Sequence, residues 1–92
     1  MTSRSVTVVN ELGMHARAAA KFVHLASSFH ARIRVSRHGR EIDGKSIMGL
    51  LLLAASRGSV VLIAADGADE HDAVAALAAL VEEGFGEGVC NA

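Results

Sequence analysis

The chain has 92 residues, 51% of them hydrophobic, with three phenylalanines and neither tryptophan nor tyrosine, so its core must be aliphatic. A net charge of −1 lacks the basic excess that nucleic-acid binding requires. The single cysteine, Cys90, excludes an intrachain disulfide, and the apolar run from Ile47 to Ala55 is too short to cross a bilayer. The length suits one domain over 1–92, with its core over about 5–85 and a short C-terminal tail. No apolar segment of signal-peptide kind opens the chain, so a cytoplasmic, reducing location is expected.

In chain order, Val6-Thr7-Val8-Val9 reads as a short strand, which Asn10 and Gly13 break into a turn. From Ala18 to Ala26 strong helix formers follow, with Ala19, Phe22, Val23 and Ala26 on one face. Ala31 to Arg37 alternates as a half-buried strand does, and His38-Gly39 turns it into a short partner, Arg40 to Asp43. Gly44-Lys45-Ser46 opens a short helix with Ser46 as N-cap, and Arg57-Gly58 is expected to end it. Ser59 to Ala65 reads as a strand with Val61 and Ile63 on one face. After the Asp66-Gly67 turn, a helix over about 70–83 carries Val74, Leu77, Ala78 and Val81 on one stripe and stops at Gly84. The order β-α-β-β-α-β-α, with one apolar sheet face covered by helices, predicts an α+β open-faced sandwich.

His15 falls where the first helix needs an N-cap, ahead of backbone N–H groups that lack intrahelical partners. Those donors and the positive end of the helix dipole favour an anion beside a neutral, nucleophilic ring. Arg17 adds a fixed charge that suits phosphate. With a nucleophile and a stabiliser but no evident general base or metal site, the arrangement suits reversible custody of a phosphoryl group better than hydrolysis. His24, His30, His38 and His71 have no such setting. The run Ile47-Met48-Gly49-Leu50-Leu51-Leu52-Leu53 exceeds what a short helix can bury. If Leu50 and Leu53 face inward, Ile47, Met48 and Leu51 share an exposed patch fit for partners. Arg17 and Lys21, four apart, present a positive edge beside it. An acid-rimmed partner would be steered there.

Two runs, Gly13-Met14-His15-Ala16-Arg17 with Ala19-Ala20, and Lys45-Ser46-Ile47-Met48-Gly49-Leu50 with Gly58, resemble the signatures of the HPr family. These are the phosphocarrier proteins of the bacterial phosphoenolpyruvate-dependent phosphotransferase system. The order and spacing match over roughly residues 5 to 85. Met14 and the ending Val81 to Phe85 look more like proteobacterial members, including the nitrogen-branch paralogue NPr. The resemblance implies a four-stranded antiparallel sheet covered on one face by three helices. It also implies that His15 accepts a phosphoryl group on Nδ1 from enzyme I and passes it to enzyme IIA proteins, with no cofactor. The first and middle helices would form one docking face, placing Met14, Ala16, Ala20, Lys21 and His24 beside Ile47, Met48 and Leu51. In some relatives the serine matching Ser46 is phosphorylated by an HPr serine kinase/phosphorylase, so Ser46 has both a capping and a regulatory reading. A monomer is expected. The family usually has proline where this chain has Ala18, which keeps the helix and loses some preorganisation.

Three functions compete on these residues. A stoichiometric phosphoryl relay leads, and a regulatory module whose phosphorylation state partners read comes second. An unphosphorylated anion-binding domain is the remote third.

Overall fold

A computed structural model describes residues 1–86. Cys90 and the expected tail lie outside the described residues. Four strands, β1 (Thr2–Thr7), β2 (Arg32–Arg37), β3 (Arg40–Asp43) and β4 (Val60–Asp66), form one sheet in the order β1-β4-β2-β3. All three pairings are antiparallel, as the alternation of Ile33 and Val35 with arginines requires for a sheet wet on one face. Val6, Ile33, Val35, Val61 and Ile63 point inward and are buried under three helices. These are α1 (Ala16–Ala26), α2 (Ile47–Leu53) and α3 (Glu70–Glu82). Phe22 of α1 and Leu77 of α3 meet that face at zero exposure. The architecture is the open-faced α+β sandwich.

Two elements differ most from the sequence reading: β1 spans Thr2–Thr7 where Val6 to Val9 was expected, leaving Val8 and Val9 beyond it, and α2 stops early. β1 begins at Thr2 rather than near Val6, because its register runs from Thr2 opposite Ala65 to Thr7 opposite Val60. Its first residues are polar and their side chains carry no apolar period, so only pairing with β4 makes them strand. α2 ends at Leu53 instead of continuing to Arg57-Gly58, through Ala54 in the left-handed region at φ 50°. The last carbonyls of α2 are then held by the neighbouring hairpin. Arg37 donates from Nη1 to Leu53 O at 3.0 Å, and Arg40 from Nη1 to Leu52 O at 3.2 Å. The hairpin tip itself has positive φ at His38 and Gly39, the pair of values that a two-residue turn of matching twist needs.

The start of α3 is tied to two distant segments. Asp69 accepts from the His30 and Ala31 N–H groups, both at 2.8 Å, which fixes the entry to β2. Glu70 accepts from the Thr2 hydroxyl at 2.6 Å and from Gly67 N–H at 3.1 Å, and pairs with the Met1 amine at 3.1 Å. The Thr2 bond first, then Gly67 and the amine, hold the Glu70 carboxyl down at about 2. Because this lies below the ordinary carboxyl value of 4.5, the contribution is complete above pH 4.5 and is lost as pH falls through about 2. Glu70→Gln is therefore expected to flatten the acid limb of stability between those values. Urea midpoints measured across that range check it, and an unaltered limb would contradict it.

Candidate functional site

The site is built by the loop between β1 and α1. Asn10 and Gly13 close it: Gly13 N–H donates to Asn10 O at 3.1 Å, and the fully buried Asn10 side chain donates from Nδ2 to Gly13 O at 2.8 Å. Gly13 has φ 65°, and a Cβ there would sit 2.6 Å from Ala55 O. Only glycine allows that approach without strain. The next residue uses it, since Met14 N–H donates to Ala55 O at 2.8 Å. This bond seats the loop against the chain leaving α2.

His15 follows as the N-cap of α1, extended at φ −86° and ψ −179°. Its carbonyl accepts from Ala19 N–H at 2.8 Å, and its Nδ1 accepts from Arg17 N–H at 3.3 Å. Because Nδ1 accepts, it carries the lone pair and the ring proton belongs on Nε2. The ring is half-buried, with Nδ1 facing the first turn and the positive end of the helix. The N–H groups of Ala16 and Ala18 lie in the same turn and have no intrahelical acceptor. Ala18 is the third helical residue and is fully buried. Ala18→Pro removes an N–H with no intrahelical acceptor and is expected to stabilise by about 0.4–1 kcal/mol. That corresponds to roughly 2–8 °C in Tm. A lowered Tm would show that the ring does not fit the packed interior.

The sequence-derived residues divide. Ala16, Arg17, Ala20, Lys21 and His24 are exposed on α1. Ile47, Met48, Leu51 and Leu52 are exposed on α2, Met48 at 71%, while Leu50 and Leu53 are buried. α1 packs beside α2, so both sets belong to adjoining helices. Lys21 is more than a positive edge: its Nζ donates to Phe85 O at 2.7 Å, fastening α1 to a one-turn 3-10 helix at Gly84–Gly86. Met14 is a correction. Expected on the docking face, it is buried in the core, because the left-handed turn at Gly13 swings it inward beneath Ala55. Leu12, which sequence reasoning passed over, takes the outer position at 69% exposure. Lying between turn residues, it has no periodic partner that would have singled it out. Ser46 caps α2, its hydroxyl accepting from Gly49 N–H at 3.0 Å.

Among the described residues, no group of three His, Cys, Asp or Glu side chains could hold a metal ion. No described helix is long and apolar enough to cross a membrane.

The molecule is thus an open-faced sandwich that presents one half-buried histidine at a helix mouth, rimmed by small alanines and exposed apolar side chains. A family model described as the PTS HPr component phosphorylation site matches residues 2–83. The phosphocarrier protein HPr of Cupriavidus necator is 50% identical over 88 residues, covering 96% of this chain and 99% of that relative. The HPr of Pseudomonas putida is 44% identical over 89 residues, covering 96% and 99%. A crystal structure of HPr-C-His from Thermoanaerobacter tengcongensis superposes with a TM-score of 0.91 at 42% identity, covering 95% of this chain and 98% of that one. The chain belongs to the HPr family of phosphocarriers of the phosphotransferase system.

Proposed function

We propose that His15 is the phosphoryl acceptor, loaded by enzyme I at the expense of phosphoenolpyruvate and unloaded onto a histidine of enzyme IIA proteins. The observation that carries this reading is the orientation of Nδ1, lone pair outward from the ring toward Arg17 N–H, in a chain of this family. The lone pair attacks phosphorus, an N–P bond forms at Nδ1, and the bond to the donor's nitrogen breaks. The ring keeps its Nε2 proton, and the new phosphoryl oxygens take over the acceptor role at the helix mouth. The Arg17 guanidinium neutralises part of their charge and meets acidic partners. Reversal of the same steps returns the group, so the protein is a relay that does not turn over alone.

Docking is assigned to Ala16, Ala20, Lys21 and His24 on α1 and to Ile47, Met48 and Leu51 on α2. Ala16 and Ala20 are small and exposed beside the ring's helix, and the apolar side chains offer area without a fixed polar pattern. The relay is proposed to work as a monomer in the cytoplasm. Incubation with enzyme I and phosphoenolpyruvate is expected to add one acid-labile, base-stable phosphate per chain. No incorporation under conditions that load a known family member would overturn the assignment.

A second reading draws on the exposure of Ile47, Met48, Leu51 and Leu52 together. An unusually greasy face suits regulatory partners that read the phosphorylation state, as in the nitrogen branch. Partner capture with and without phosphate on His15 separates the two: enzyme IIA proteins of sugar permeases favour transport. Phosphorylation of Ser46 by an HPr serine kinase/phosphorylase would put a dianion at the start of α2, inside the same face.

A further inference from the structure

Asn10 is the one polar residue buried in the described core, at zero exposure. Asparagine is common in turns because it bonds its own backbone locally, but such residues usually face water. Here the side chain lies inside and donates from Nδ2 to the Gly13 carbonyl at 2.8 Å. The same carbonyl accepts His15 N–H at 2.9 Å, a tight bond spanning only two residues. The Gly13–Met14 peptide is therefore held from both sides, and His15 hangs directly from it. On the far side Met14 N–H is fixed to Ala55 O at 2.8 Å. Without the Nδ2 donor, the Gly13 carbonyl keeps only the bond from His15 itself. That bond moves with His15 and cannot fix its direction.

We propose that Asn10 is a positioning residue for phosphotransfer: it pins the Gly13 carbonyl and thereby the His15 ring orientation that aims Nδ1 at Arg17 N–H. The inference rests on the reading of His15 as acceptor. It adds that the loop, and not the helix alone, selects which ring nitrogen reacts.

Asn10→Leu keeps approximate size and removes the donor, and Asn10→Ala, measured beside it, covers a failure of the larger side chain to fit. Both are compared with the wild type well below their unfolding temperatures. Nitrogen-15 NMR reports the His15 tautomer, and phosphorus NMR after loading reports whether phosphate sits on Nδ1 or Nε2. The expected result is a mixed tautomer, some Nε2 phosphate, and loading slowed by about 10–100-fold. The KM for enzyme I should stay within about twofold, because the docking side chains are untouched. A loss of global stability alone would shift neither tautomer nor isomer. A folded variant with the wild-type tautomer, isomer and rate overturns the role of Asn10. A wild-type chain that takes no phosphate overturns the acceptor reading instead. The tautomer in the variants then still decides whether Asn10 orients the ring.

Discussion

His15→Ala is expected to abolish labelling from phosphoenolpyruvate through enzyme I, from one phosphate per chain to background, while the sandwich still folds. The side chain supplies the only nucleophile that the loop and helix α1 bring to the helix mouth, and alanine leaves nothing to form an N–P bond. The structural cost is small. His15 caps α1 through a long bond of 3.3 Å from Arg17 N–H, and losing that cap should cost about 0.5–1 kcal/mol. His15→Asn keeps a capping acceptor and separates the two effects: it should match wild-type stability and still take no phosphate. Radiolabel incorporation and urea midpoints, read on the same samples, check both statements. Label retained at wild-type stoichiometry in His15→Ala would move the chemistry to another residue.

Gly13→Ala should damage stability most among changes near the site. The residue lies at φ 65°, where a β-carbon is strained, and the added atom would meet Ala55 O at 2.6 Å and Ser56 Cα at 2.9 Å. Both obstacles are backbone, so neither yields as a flexible side chain would. Left-handed strain and the steric displacement together should cost about 2–4 kcal/mol. The displacement also opens the Met14 N–H bond to Ala55 O, so phosphoryl loading should slow together with the loss of stability. The urea midpoint and the loading rate test the pair of effects. Near wild-type values for both would show that the loop accommodates the methyl group without moving His15.

Much of this was legible in the residues. The β2–β3 hairpin was readable because strict alternation and His38-Gly39 are local signals, and α3 because its apolar stripe has a clean helical period. His15 at a cap, and the split of α2 into buried Leu50 and Leu53 against exposed Ile47, Met48 and Leu51, followed from spacing alone. The polar start of β1 was not legible, since an edge strand made of Thr2, Ser3, Arg4 and Ser5 is defined by its partner's carbonyls and amides. Nor was the stop of α2 at Ala54, because two alanines in sequence continue a helix as readily as they end one. The inward turn of Met14 and the burial of Asn10 depend on a left-handed residue docking against Ala55. Such a contact spans some forty residues and leaves no periodic trace.

Helix α2 has seven residues, too few to persist by itself in water. Its carbonyl end is clamped by two guanidinium groups reaching over from the hairpin, at Arg37 and Arg40. The oily display at Ile47, Met48 and Leu51 thus leans on the zipped β2–β3 hairpin as well as on the burial of Leu50 and Leu53. If partners dock on this surface as proposed, loosening of the hairpin would weaken the display, and docking would favour the fully folded chain.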